Sequence, residues 1–526
     1  MEILEKIKKK ESVIKKILGT LFFLIILGVV FSRVTYLFRN TGTDREHVIG
    51  IENEDVDMVY IGGSAAFVYW QPLRAWNDFG ITSYNLATNS VQAESLQGYI
   101  EEAQRTQNPD LFVIGIRAFQ YYTDDLDIWE PGIRNASDSM DILSPARISM
   151  LNNVFKYREK SEETDWISYY LDIAKYHTNT SNLASESAWK LIENNHVCPD
   201  KGFEWIDAYD YVKTPKDFLT DERGELEGNA QKILTDLLDY CRDEKLNVLF
   251  VVCPYAISSE DQKKYNTMKD LIESYGFNYL NANEYLDEIG ISFDSDFYNV
   301  NHVNPIGAKK YTEFLEKYIV DHYSLVDHRN DKNYESWIKD GERFLIEEET
   351  HLSRVKNLQD DFKRTEEITE QMVAARSIEE WMQLASGTRY TLLCVQKGPI
   401  TWTNNIADEQ ILLQLGLNAE ACDYISVIYN NQILNTTIWS HDLIATGNID
   451  HFLSTTYEIS IEDEKPKAKV GDENFILQPD GMSIIVFDNG FKRVMGIASI
   501  GCGEDGKLTL NYEKVISDDF FANLKY

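Results

Sequence analysis

Asp57-Met-Val-Tyr-Ile-Gly-Gly-Ser-Ala-Ala66 is the stretch on which the fold turns. A short apolar run breaks at two glycines into a serine and a helix-prone Ala-Ala-Phe, the pattern of a buried strand turning tightly into a helix. Residues 58–61 are therefore read as a first strand, and further strands are read at 83–87, 111–116, 247–253 and 278–281. Helix-like segments such as 90–105 and 261–275 alternate with them, which predicts an α/β fold: a parallel sheet flanked by helices in three layers. After the last strand, Asn304 and Pro305 supply an N-cap and a first-turn proline for a helix over 305–318.

A chain of 526 residues exceeds one ordinary core, so about two to four domains are expected. A net charge of −35 and a pI near 4.6 exclude nucleic acid as a partner, because phosphate backbones ask for clustered Lys and Arg. An anionic substrate would have to be met by local basic groups. Cys198, Cys241, Cys253, Cys394, Cys422 and Cys502 show no metal-ligand spacing. No metal and no cofactor is expected, and several of these read as buried thiols rather than a disulfide framework.

Residues 17–31 form an almost unbroken apolar run which, with Arg33 snorkelling, extends to 38 and is long enough to cross a bilayer. Lys6, Lys8, Lys9, Lys10, Lys15 and Lys16 precede it, so residues 1–16 are expected in the cytoplasm and everything beyond about residue 40 outside the cell membrane. No small-x-small site follows the apolar core, which favours a single-pass anchor at 17–38 over a cleaved signal peptide.

Between the third and fourth strands, over about 120–230, lies an insertion far longer than a crossover loop, expected to carry its own helices and a substrate lid. Its Trp129, Trp166, Tyr169, Tyr170, Trp189, Trp205, Tyr209 and Tyr211 suit either a sugar- or acyl-facing wall or an auxiliary helical core. Residues 322–386 are charged and helix-forming, with Trp337, Phe344, Ile346, Met372 and Trp381 as anchors, and read as a connector. From 387 to 526, strand-like runs at 390–395, 424–429, 457–461, 483–487 and 492–498, a helix at 407–417 and the hairpin signal Asp488-Asn-Gly490 predict a β-rich, α+β sandwich-like domain.

Nucleophilic acyl chemistry needs a hydroxyl on a tight turn, a base to take its proton and N–H donors where an oxyanion forms. Ser64 offers the hydroxyl, with an ordinary helix N-cap as its plainer role. The base would come from His302 in Ser292-Phe-Asp-Ser-Asp-Phe-Tyr-Asn-Val-Asn-His-Val-Asn-Pro-Ile-Gly-Ala308, between an acid- and amide-rich loop and a helix start.

Ile-Gly-Gly-Ser64 together with Asp296-Phe-Tyr-Asn-Val-Asn-His302-Val-Asn-Pro-Ile-Gly-Ala308 resembles the SGNH/GDSL hydrolase superfamily. More narrowly it resembles the membrane-anchored, outward-facing branch of the lipoteichoic-acid D-alanylation and alginate O-acetylation proteins. The likeness covers about residues 55–321, within a domain expected at 50–321. It implies Ser64 as nucleophile, His302 as base, and the Gly63–Ser64 turn, through the Ser64 N–H, as an oxyanion donor. The chain departs from the family pattern at three places. The orienting aspartate is replaced by Asn299, so the ring would be held by that amide or by Asp296 from the adjacent turn. The third-block asparagine is absent where the strand ends Ile114-Gly-Ile-Arg117, so Arg117 is the candidate to hold an oxyanion or a substrate anion, or else forms a structural ion pair. The second-block glycine gives way to Ala87-Thr-Asn89, which makes Asn89 the candidate donor there.

The resemblance implies a membrane-tethered serine esterase or O-acyltransferase acting on acyl groups of a cell-surface or secreted polysaccharide. A glycopolymer would be the substrate and an integral-membrane O-acyltransferase the partner, by analogy only. Asn299 and the missing third-block asparagine leave room for a catalytically reduced scaffold or glycan-binding protein. At the C-terminus, Tyr424-Ile-Ser-Val-Ile-Tyr429, Asp480-Gly-Met-Ser-Ile-Ile-Val-Phe-Asp488 and Lys492-Arg-Val-Met-Gly-Ile497 are similar to the interleukin-like EMT inducer (PANDER-like) domain over about 388–515. That likeness implies a small sandwich and a glycan-binding role.

Overall fold

Five short apolar runs become five strands because each is buried on both faces, as a parallel sheet covered by helices requires. They are β1 (Met58–Gly62), β2 (Ser83–Ala87), β3 (Leu111–Gly115), β4 (Val248–Val252) and β5 (Asn278–Asn281), all within a residue of the strands read from the sequence. The computed structural model describes residues 2–39, 43–158, 165–190, 198–398, 410, 413–415, 423–438, 444–449, 455–462, 465–479, 481–503 and 508–516. Every pairing in this sheet is parallel, and the spatial order is β2-β1-β3-β4-β5. The chain steps from β1 out to β2 and then back past β1 to β3. Right-handed crossovers therefore put the connecting helices on opposite faces, and the carboxyl ends of β1 and β3 flank the switch point where α/β sheets open a crevice. The outer edge of β2 is covered by the returning insertion, whose Lys201 carbonyl accepts the Asn85 N–H at 2.9 Å.

The chain divides into two compact units, one of residues 1–207 and 214–352, the other of 208–213 and 353–526. The boundary falls inside the helix Glu335–Ala374, so the connector expected at 322–386 is shared between them. In the first unit its Trp337 and Phe344 are buried, with Trp337 against Trp76 at 5.5 Å between ring centroids. Ile346, expected to anchor with them, is instead 71% exposed. The helix expected at 305–318 runs over Pro305–His322, because Leu315 and Ile319 keep its inner face buried. The helix expected at 90–105 begins later, as Leu96–Thr106 after a 3-10 turn at Ala93–Ser95. Ser90, in the left-handed region at φ 55°, cannot belong to it.

The insertion carries helices Glu130–Ser139 and Pro145–Tyr157 and several one-turn helices, with a small core of Leu126, Ile133, Leu151, Val154 and Tyr169. Its charged centre is Asp172, fully buried between Arg147 at 2.9 Å and Arg39. Arg39 directly follows the helix Glu2–Phe38. Within that helix Ile14–Phe38, with a mean hydropathy of 2.4, is long and apolar enough to cross a membrane.

In the second unit, β8 (Tyr390–Lys397), β9 (Asp423–Tyr429), β10 (Gln432–Ile438), β15 (Gly481–Asp488), β16 (Arg493–Cys502) and β17 (Leu508–Lys514) form one antiparallel sheet in the order β10-β9-β8-β15-β16-β17. A second sheet holds β11 (Ala445–Asn448), β12 (Thr456–Glu462), β13 (Lys465–Val470) and β14 (Glu473–Ile476). Leu393, Val395, Ile485 and Phe487 pack against Tyr457, Ile459 and Ala468 between the sheets, so this region is a β-sandwich. The alternate residues Leu392, Cys394, Ile484 and Val486 pack on Met372, Ile378 and Trp381. Asn430 and Asn431 both take positive φ at the β9–β10 turn, as a tight hairpin demands. Most of the helix expected at 407–417 lies outside the described residues.

Asp172 is the nearest carboxylate to two buried guanidiniums, so Asp172→Asn leaves them only the more distant Asp138, 3.5 Å from Arg147, and is expected to cost about 3 to 5 kcal/mol. Denaturant unfolding of the detergent-solubilised chain, followed by circular dichroism, measures the loss.

Candidate active site

The crevice at the switch point is a cleft of about 450 Å³ lined by the turns after β1, β2, β3 and β4 and by the segment that carries His302. At its floor Ser64 opens the helix Ser64–Tyr69 directly after β1, with Gly63 in the cap position. A side chain on Gly63 would press its Cβ to 3.3 Å from Val91, so glycine lets the serine turn lie against the loop after β2. The plainer role of Ser64 as a cap does not apply, because its hydroxyl meets no backbone amide of the helix. Ser64 Oγ lies 2.7 Å from His302 Nε2, across 238 residues of sequence.

The tautomer of His302 follows from its second neighbour. Asn299 Oδ1 lies 3.0 Å from His302 Nδ1 and 2.8 Å from the backbone nitrogen of Asn301. A backbone N–H can only donate, so the end of the Asn299 amide facing the ring is its oxygen. His302 Nδ1 must then carry the proton and Nε2 the lone pair, and the Ser64 O–H donates to that lone pair. This is the arrangement a general base needs. Asn299 comes into position on β6 (Phe297–Asn299) of a small hairpin with β7 (His302–Val303).

Asp296, the other candidate to orient the ring, does not reach it. Its buried carboxylate takes the Lys310 ammonium at 2.7 Å, the Ser292 N–H at 2.8 Å and the Ser295 hydroxyl at 2.9 Å. It thereby ties the hairpin to the helix Pro305–His322. With no carboxylate at hand, burial pushes the His302 pKa down to about 3, and the nearby Arg117 charge adds to the effect. The imidazole is neutral over the whole physiological range.

Arg117 lines the cleft after β3, and among the described residues no carboxylate forms an ion pair with it, which removes the structural-pair alternative. Its Nη1 and Nη2 donate to the Asn301 carbonyl (2.8 Å) and Oδ1 (2.9 Å), and its guanidinium lies 4.0 Å from the Tyr255 ring centroid. Its Nε is buried with no hydrogen-bond partner among the described residues. Tyr69 shares its hydroxyl proton between the Pro254 carbonyl at 2.7 Å and the Asn301 carbonyl at 3.0 Å, and Ala256 N–H reaches the Val300 carbonyl at 2.9 Å. The turn bearing His302 is thus pinned from the ends of β1, β3 and β4.

Asn89, expected as an oxyanion donor, is exposed and does not line the cleft. The left-handed backbone at Ser90 swings the chain so that Ser90 and Val91 face the cleft instead. No residue type at 89–91 signals that reversal, and the sequence reading missed Ser90 for this reason.

Of the aromatics proposed as a wall, Trp129 lines the cleft, its ring 5.2 Å from that of Tyr121. Tyr169 belongs to the insertion core, Trp205 stacks on His351 at 4.3 Å, and Trp166 and Trp189 are exposed away from the cleft. Tyr121 and Tyr255, unremarked in the sequence, complete the wall with Trp129. Cys253 also lines the cleft, but burial raises its thiol pKa, so it offers no competing thiolate. Among the described residues no group of His, Cys, Asp and Glu is placed to hold a metal ion. No protein-family model matches this chain, and no curated protein matches its sequence.

Because His302 is held neutral by burial, Ser64-dependent reactivity is expected to persist well below pH 6.5 and to fall only as pH approaches the depressed pKa. Asn299→Asp places a negative charge beside Nδ1, which raises the pKa of the ring, by about 1 to 3 units for a charge at such range, and moves the acid limb upward. The rate of fluorophosphonate labelling against pH for the two proteins reads this shift.

Proposed function

We propose that this protein is a membrane-tethered, extracytoplasmic serine esterase or O-acyltransferase of the SGNH type, acting on acyl groups of a cell-surface or secreted polysaccharide. The observation that carries the reading is the Ser64 Oγ to His302 Nε2 hydrogen bond of 2.7 Å, with the tautomer set by Asn299. Ser64 Oγ attacks the acyl carbonyl while His302 Nε2 takes its proton, and the leaving alkoxide takes that proton back as the C–O bond breaks. The acyl-Ser64 ester is then attacked by a sugar hydroxyl or water, deprotonated in turn by His302, and Ser64 regains its hydrogen. The aromatic wall of Tyr121, Trp129 and Tyr255 suits the apolar face of a sugar or an acyl chain.

Membrane tethering is supported by Ile14–Phe38, and the lysines before it favour a topology with the N-terminus in the cytoplasm and the cleft outside. An integral-membrane O-acyltransferase as acyl supplier belongs to the proposal by analogy, and the sandwich would bind glycan.

A second reading has its own observation. With an amide behind the ring and Arg117 close by, nothing offsets the positive charge His302 would gain during proton transfer. That favours a catalytically reduced scaffold of a polysaccharide-modification complex.

Fluorophosphonate labelling separates the two. Labelling of the wild type that disappears in Ser64→Ala, and falls at least about 100-fold in His302→Ala, supports the enzyme. A wild type left unlabelled under conditions that label a related esterase supports the scaffold.

A further inference from the structure

The insertion over 120–230 carries large apolar side chains that neither its own core nor the cleft uses. Leu143, Trp166, Ile167, Leu171, Leu183 and Trp189 are between 43% and 62% exposed. Scattered singly they would mean nothing. Three of them, Leu143, Leu171 and Leu183, stand within two residues of groups bonded to the end of the helix Glu2–Phe38, and the other three adjoin these in the chain or through a hydrogen bond. Leu171 precedes Asp172, which pairs with Arg39. Leu183 follows Asn182, whose side-chain amide donates to the Arg39 carbonyl at 2.9 Å, as Asn179 does to that of Phe38 at 3.0 Å. Leu143 lies two residues beyond Asp141, paired with Arg33 at 3.4 Å. Trp189 donates its indole N–H to the Leu183 carbonyl at 2.9 Å, while Trp166 and Ile167 lead into Leu171.

The helix itself sets the depth of that collar. Residues 14–31 are exposed without a break, and burial inside the protein begins at Ser32. From Ile17, where the lysines end, the exposed residues to Phe31 rise about 22 Å, most of the ~30 Å hydrocarbon thickness of a bilayer. The remainder is crossed in the next turns, where the protein begins, so groups bonded to residues 33–39 stand between the outer edge of the hydrocarbon and the lipid headgroups.

We infer that the helical insertion is a lipid-contacting collar, seated on the bilayer interface around the exit of the transmembrane helix through Leu143, Trp166, Ile167, Leu171, Leu183 and Trp189. This rests on the membrane-crossing reading of Ile14–Phe38 given above. The occupant is lipid, because these side chains adjoin the end of a helix long and apolar enough to cross a bilayer, and because tryptophans with one polar edge are the side chains bilayer interfaces favour. The collar and the Arg39–Asp172–Arg147 cluster together hold the α/β unit at a set height and tilt, so the cleft addresses substrate at a fixed distance from the membrane.

The test uses the full chain in nanodiscs of phosphatidylcholine alone, brominated either high on the acyl chains or near their ends. High bromines are expected to quench wild-type tryptophan emission, and the double variant Trp166→Phe/Trp189→Phe is expected to lose most of that quenching while unfolding at the wild-type temperature. Leu24→Trp adds an emitter at mid-helix that deep bromines should quench. If Leu24→Trp is quenched but the double variant is quenched by high bromines as strongly as wild type, the collar does not touch lipid and the inference falls alone. If high bromines quench neither protein, the face awaits a membrane-protein partner and the inference again falls. If Leu24→Trp escapes deep bromines, the membrane-crossing reading falls and takes the collar with it.

Discussion

One backbone carbonyl, that of Asn301, holds the candidate site together. It accepts the Arg117 guanidinium from the turn after β3 and shares the Tyr69 hydroxyl, from the helix after β1, with the Pro254 carbonyl. Both donors stand on rigid elements at the switch point, so the residue next to it, His302, arrives at Ser64 with a defined ring position. A two-stranded hairpin carries the histidine, but the parallel sheet positions it. Charge-assisted hydrogen bonds of this kind are stronger than neutral ones, and here the stronger donor is one without an acidic partner.

Arg117 therefore has two consequences that pull in opposite directions. As a clamp it places His302, and as a charge it makes protonation of His302 harder. A carboxylate behind the ring would offset that charge, but the chain has Asn299 there and assigns Asp296 to Lys310. The result is a base with correct geometry and low basicity. Such a centre suits a reaction in which substrate itself brings negative charge beside Arg117, or one in which slow turnover is tolerated. In a chain of net charge −35, an arginine that pairs with no carboxylate among the described residues also gives the cleft a local place where an anionic group would be welcome.

The second unit solves a separate packing problem. Its six-stranded sheet is apolar on both faces, and each face is matched by a different element: the four-stranded sheet on one side and the segment around Met372, Ile378 and Trp381 on the other. Alternating side chains along β8 and β15 divide cleanly between the two cores, as the two-residue period of a strand dictates. The charged run before it thus contributes to two cores along its length, which its even distribution of Glu, Lys and Asp conceals.

Local rules were enough for much of this molecule. The five parallel strands, the Asn304 cap, the apolar helix at the N-terminus and the β-rich character of the C-terminal region follow from hydrophobic period, breakers and capping chemistry, which act within a few residues. The same rules brought Ser64 and His302 to notice as residues, and the family resemblance drew attention to Asn299. What they could not decide is which groups meet. Asp296 and Asn299 lie six and three residues before His302, both close enough in sequence to orient its ring, but the hairpin sends the Asn299 side chain to the ring and that of Asp296 to Lys310. Asn89 and Ser90 are neighbours, and a single left-handed φ turns the second into the cleft. The insertion's tryptophans look alike in sequence, but Trp129 walls the cleft while Trp166 and Trp189 face outward. Partner choice across hundreds of residues depends on strand order and on the direction each turn takes, and those are properties of the assembled sheet rather than of any local stretch of chain.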